Sequence, residues 1–206
     1  MGARKYDAAA CLARRADALG PPGAQATGLP RLLVLTDPAR TPDPLVLARA
    51  LPAGCGVILR TFGRPEIEAL AFELAQIMRA RGGALLISAD PALARRAGAH
   101  GVHWPQWSLA SAHRPWPGAL VTASVHDPAA LRRAHGIADA VLVSTVFASR
   151  SPSAGRPMGP FRLAAWVRRS RAPVYGLGGI TARTVRRLTG LGVGGAGAVG
   201  AAVEAG

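Results

Sequence analysis

Ser124-Val125-His126 places a hydroxyl and an imidazole two residues apart at the end of an apolar run. An imidazole changes charge near neutral pH, so this pair suits general acid or base work, with His126 moving a proton and Ser124 orienting the substrate or the histidine. A surface loop histidine is the alternative for His126. Other short apolar runs also end in polar side chains: Arg60, then Ser88 and Asp90, then His103 and Gln106, then Ser144, Thr145, Ser149 and Ser151. Two glycine-rich stretches follow, one through Gly178-Gly179-Ile180-Thr181 and one through Val199-Gly200, and glycine lets backbone N–H groups approach a phosphate closely. Tight turns in a glycine-rich chain are the competing reading.

Other chemistry fits less well. His100 and His103 are three apart on a predicted strand and so point to opposite faces, which makes a poor metal pair. His113 and His135 occupy surface positions, and spacing alone assigns no Ser/His/Asp triad, since triads assemble in space. Asp37, Asp90 and Asp127 each precede a proline, as helix-capping or turn residues do, which gives little support to a magnesium site built from protein carboxylates. The one lysine, Lys5, precedes the first predicted strand, so Schiff-base chemistry lacks its nucleophile.

If these groups share a pocket, the elements before them must converge. Eight apolar runs alternate with helical patterns: Leu32 to Leu35, Gly56 to Arg60, Ala84 to Ser88, Gly101 to Trp104, Leu120 to Ser124, Ala140 to Ser144, Pro173 to Leu177, and Gly195 to Val199. The clearest helix is Pro65 to Arg81, where Ile67, Leu70, Ala71, Leu74, Ile77 and Met78 form one apolar face and Glu66, Glu73 and Arg81 the other. Asp43-Pro44, Asp90-Pro91 and Asp127-Pro128 each put a capping oxygen and a preset φ at a helix start. This order predicts a compact (β/α)8 barrel over residues 30–206, with polar groups at the C-terminal strand ends. An open doubly wound sheet is the alternative, although Thr36-Asp37-Pro38-Ala39-Arg40 has no glycine for a dinucleotide loop. Residues 1–29 end in glycine and proline breakers and are read as an N-terminal arm, mobile or helical.

Composition narrows the partners. The chain has 206 residues, half of them hydrophobic, and a formal charge of +14. The basic residues are nearly all arginines spread in pairs along helical patterns, such as Arg95/Arg96, Arg132/Arg133, Arg168/Arg169 and Arg186/Arg187, without interleaved aromatics. That distribution reads as solvated helix faces rather than a nucleic-acid surface. No apolar run is long enough to span a bilayer, and Cys11 and Cys55 make no disulfide framework, so a cytoplasmic location is expected. Homo-oligomerisation is left open.

From Leu32 to Val203 the order of motifs resembles the thiamine-phosphate synthase and thiazole tautomerase family, the TenI-like barrels. The matching pieces are Val34-Leu35-Thr36-Asp37, Leu59-Arg60, Ala99 to Gln106, Ser124-Val125-His126, Ala138 to Val141, Val146-Phe147 and Gly178 to Thr181. The resemblance implies a barrel that binds a thiazole phosphate at Gly178, Gly179, Val199 and Gly200, with Arg60, Ser88, His103, Gln106, Ser149, Arg150 and Ser151 around the substrates. In the synthase it also implies an aminopyrimidine diphosphate held by magnesium, an arginine and lysines. The departures fall on that machinery: Ser88 and Ala89 replace an asparagine and an aspartate, Ser108 an aspartate, Ile58 and Phe62 a glutamine and a lysine, and Pro152 a lysine. Magnesium is therefore expected only if coupling survives. In the tautomerase branch the histidine matched by His126 transfers the proton. Three readings follow: proton transfer on thiazole phosphate, full coupling supported by Arg60, Ser149, Arg150 and Ser151, or a non-catalytic barrel that binds a phosphate ligand or a partner.

Overall fold

Along each predicted strand alternate residues face opposite ways, and here both faces are apolar, as a strand sandwiched between barrel interior and helices requires. The computed structural model describes residues 3–19, 28–63, 65–149 and 154–199; Arg150, Ser151 and Gly200, singled out above, lie outside them. The strands are β1 (Leu32–Leu35), β2 (Gly56–Leu59), β3 (Ala84–Ser88), β4 (Gly101–Trp104), β5 (Leu120–Val125), β6 (Ala140–Val143), β7 (Val174–Gly176) and β8 (Gly195–Val199). All neighbours pair in parallel and β8 returns to β1, which closes a (β/α)8 barrel in sequence order.

Two cores follow from the alternation. Leu33, Leu35, Ile58, Leu86, Leu142 and Tyr175 fill the barrel interior. Their strand neighbours, such as Leu32, Val34, Val57, Leu85 and Ile87, pack outward against the helices. Near the N-terminal end the interior is plugged by Tyr175, whose hydroxyl donates to the Pro30 carbonyl at 3.0 Å. Gly195 makes room for that ring: a Cβ there would lie 2.4 Å from the Tyr175 ring.

The helices are α1 (Ala3–Asp17), α2 (Pro44–Ala50), α3 (Ile67–Ala80), α4 (Pro91–Arg96), α5 (Pro128–Ala134) and α6 (Gly159–Arg169), with 3-10 segments Gln106–Ser111 and Val185–Leu188 after β4 and β7. The proline-marked starts are capped as expected. Asp43 accepts from the Leu45 and Val46 N–H groups, Asp90 from Leu93 and Asp127 from Ala130. In α3 the expected apolar face buries Ala71, Leu74 and Met78. Arg81 does not stand free on the opposite face; its guanidinium donates to the Leu51 carbonyl.

Two further features differ from the sequence reading. Within the segment read as an arm, α1 buries Ala9, Leu12 and Ala16 in the outer core and packs on β1, β8 and Val185–Leu188. His135 is half-buried, not a surface residue, and its Nε2 has no partner among the described residues. The four arginine pairs are exposed, as expected for solvated helix faces. Among the described residues no helix is long and apolar enough to cross a membrane.

Candidate active site

The interior positions of the strands turn polar toward their C-terminal ends. By parity, Thr122 and Ser124 of β5 share the inner face, and the register sets His103 of β4 beside Thr122. Past the last strand residues, the same end of the barrel opens into a cavity of about 800 Å³. Of the residues singled out from the sequence, Arg60, Ser88, His103, Gln106, Ser124, His126, Ser149, Gly178 and Val199 line it.

His103 forms the floor and is buried. Its Nδ1 lies 2.9 Å from the Thr122 hydroxyl and its Nε2 2.9 Å from the Ser124 hydroxyl. Burial, reinforced by the positive Arg60 nearby, pushes the imidazole down to about 3, so it stays neutral at physiological pH. Both ring nitrogens are engaged, so His103 holds the Thr122 and Ser124 hydroxyls in place. Thr122 was missed by the sequence reading, although its i, i+2 relation to Ser124 already placed both on one face.

His126, just beyond β5, is exposed on the cavity wall. Its Nδ1 lies 2.9 Å from the Ser144 hydroxyl. The hydroxyl that orients His126 is therefore Ser144 and not Ser124, whose hydroxyl is held by His103. The His126 backbone is fixed from the other side: its N–H donates to Gln106 Oε1 at 2.6 Å, while Gln106 Nε2 donates to Asp127 at 2.5 Å. Gln106 thus ties the loop after β4 to the start of α5. Asp127 is held below the ordinary carboxylate range, first by the Ala130 N–H that it caps and also by Gln106.

Arg60 lines the cavity, but its cationic head is committed. Its Nε donates to the Thr36 carbonyl at 2.5 Å and its Nη2 to Asp37 at 2.9 Å. Burial lowers the guanidinium, and the Asp37 charge opposes that shift. Burial would raise the Asp37 carboxyl, yet N–H donation and charge from Arg40, joined by the Arg60 charge, outweigh it and hold the carboxyl below its usual value.

Gly178 and Gly179 both have positive φ, at 91° and 62°. A Cβ on Gly178 would come 2.8 Å from Thr145, and one on Gly179 2.3 Å from the Ala148 carbonyl, so only glycine permits this close approach to the loop after β6. Their N–H groups have no acceptor among the described residues. Gly178 lines the cavity, whereas Gly179 packs on Phe147 and Ala148.

Residues 32–203 match the profile of the family described as thiamine monophosphate synthase. The chain belongs to the thiamine monophosphate synthase family. Among solved structures it is similar to thiamine phosphate pyrophosphorylase from Pyrococcus furiosus, at 24% identity and TM-score 0.70, covering 85% of this chain and 88% of that one. The thiamine phosphate pyrophosphorylase from Bacteroides thetaiotaomicron is similar at 16% identity and TM-score 0.51, over 82% and 83% of the two chains. An HpcH/HpaI aldolase from Desulfitobacterium hafniense shares the fold at 12% identity and TM-score 0.56, over 88% and 90%. At these identities the structural likeness speaks for the fold. Comparison with curated proteins gives no match.

The magnesium that the synthase resemblance implies finds no fitting donor set here. Magnesium takes hard oxygen ligands, usually one or two carboxylates beside substrate oxygens. Among the described residues no carboxylate lines the cavity, and no group of three His, Cys, Asp or Glu side chains could hold a metal. Asp37 is spent on Arg60 and Arg40, and Asp127 and Asp90 on helix caps. Ser108, in place of an aspartate, is buried and turns its hydroxyl to the Pro105 carbonyl at 2.9 Å.

Proposed function

We propose that this member of the thiamine monophosphate synthase family acts in thiamine biosynthesis by moving a proton on a thiazole phosphate. One observation carries the reading: His126 shares a cavity with the open Gly178 N–H, and among the described residues that cavity has no carboxylate for the metal that would neutralise a departing diphosphate. In this scheme Gly178, Gly179 and Val199, together with Gly200, hold the phosphate by backbone donation. The Ser144 hydroxyl occupies Nδ1 of His126, which leaves Nε2 to face the ligand. Nε2 accepts a proton from a carbon of the thiazole system while the bonding pair shifts into the ring. The imidazolium then returns the proton at another atom, so the product is an isomer and nothing else is consumed. Ser124, fixed by His103, positions the ring.

The test is deuterium uptake by thiazole phosphate in heavy water, followed by NMR. His126→Asn should slow exchange by about 100-fold or more, the usual contribution of a positioned acid or base. Its affinity for thiazole phosphate should stay within about threefold of the parent's, because the phosphate cradle is untouched. Undiminished exchange in that variant overturns the assignment of His126.

A further inference from the structure

Three polar side chains run in series from the barrel interior to the cavity: Thr122, His103 and Ser124. Thr122 is fully buried and does not line the cavity, whereas Ser124 is half-buried and does. The two hydroxyls share the inner face of β5, two residues apart, and the β4 imidazole bridges them at 2.9 Å from each. Neither hydroxyl has another hydrogen-bond partner among the described residues.

The direction of this chain is set at its buried end. The ring is neutral, so it carries one N–H and one lone pair. With the hydrogen on Nδ1, the ring would donate to Thr122, and the Thr122 O–H would be left without an acceptor among the described residues, in a place that water does not reach. With the hydrogen on Nε2, Thr122 donates to Nδ1, Nε2–H donates to the Ser124 oxygen, and every buried hydrogen of the chain has its acceptor. Ser124 then keeps its own O–H free at the cavity wall, where a ligand atom can accept it. Bonds aligned head to tail polarise one another, which strengthens the last donor.

We propose that Thr122 is a positioning residue: by donating to Nδ1 it fixes His103 as the Nε2–H tautomer, and so makes Ser124 a hydrogen-bond donor toward the ligand. The ligand atom over Ser124 is then an acceptor, such as an unprotonated ring nitrogen or an oxygen. This role deepens the proposed function and rests on it only in placing the ligand over Ser124; the tautomer is a property of the free protein.

The experiment reads the His103 ring directly, by nitrogen NMR of histidine-labelled protein without ligand, with His103 assigned by the signal lost in His103→Gln. The parent should show a single neutral tautomer with its hydrogen on Nε2. Thr122→Val puts a methyl group of similar size in place of the hydroxyl and should show both tautomers, whereas Thr122→Ser should restore the single one. In the deuterium-exchange assay Thr122→Val should be about 2- to 10-fold slower than the parent, the net worth of one hydrogen bond, and Thr122→Ser should recover most of the rate. Circular dichroism checks that each variant is folded, and the parent's tautomer needs no variant to be read. A parent ring protonated on Nδ1 or on both nitrogens, or the same single tautomer in Thr122→Val, would each overturn the role of Thr122. Absence of exchange in the parent would sink the proposed function instead, and the tautomer would still decide the role of Thr122.

Discussion

At the scale of single residues, the site is a set of side chains that hold one another. Gln106 is the clearest case, because it spends one amide on two tasks: steadying the His126 backbone and engaging Asp127. Gln106→Leu should therefore lower the exchange rate by about 10- to 100-fold through misplacement of His126, with thiazole phosphate affinity nearly unchanged; a loss confined to affinity would show that Gln106 contacts the ligand instead. The sequence made the cavity's membership largely legible, since His126, Ser124, Gln106 and Gly178 all sit just past apolar runs. It did not show which group orients which. Ser144 on His126 and Thr122 on His103 are contacts between strands, fixed by barrel register rather than by spacing along the chain.

At the scale of elements, aspartate-proline starts and interior glycines carry much of the local specification. Asp90→Ala removes the hydrogen bond to the Leu93 N–H and should cost about 1 kcal/mol in chemical denaturation, as capping losses do. Gly195→Ala should cost more, about 1–3 kcal/mol, because its new methyl meets the Tyr175 ring inside a packed barrel. A Gly195→Ala protein as stable as the parent would mean that both the Tyr175 plug and the Arg31 carbonyl, 2.5 Å from the added Cβ, can shift. All eight strands were readable because buried parallel strands are short apolar runs between breakers, with ends shifted by a residue or two. The docking of α1 was not readable: glycine and proline after it signal a break, but a break in the chain does not stop Ala9, Leu12 and Ala16 from packing back on the barrel.

At the scale of the whole molecule, the buried neutral His103 links folding to pH. Its folded value near 3 lies below the ordinary 6.5, so the unfolded chain takes up a proton that the folded one refuses. Stability should therefore rise with pH from about 3 to 6.5 and level off above. Asp37, held below its usual value, adds to the loss in the acid range below about 4. Between pH 7 and pH 4 the His103 contribution is about 3 kcal/mol, and His103→Gln should flatten that slope in denaturation curves; an unchanged slope would mean that His103 takes up its proton as readily in the folded protein as in the unfolded chain. The charge of +14 plays a different part, since the exposed arginine pairs lie on the outer helices and not in the cavity.

We propose that this barrel moves a proton on thiazole phosphate without joining it to a second ring. The most direct measurement incubates the purified protein with thiazole phosphate, aminopyrimidine diphosphate and magnesium in heavy water, and follows both deuterium incorporation and coupled product by NMR. His126-dependent exchange with no thiamine phosphate is the expected result. Thiamine phosphate formed at a catalytic rate would contradict it, and would show that Arg60 and the loop after β6 replace the missing metal ligands.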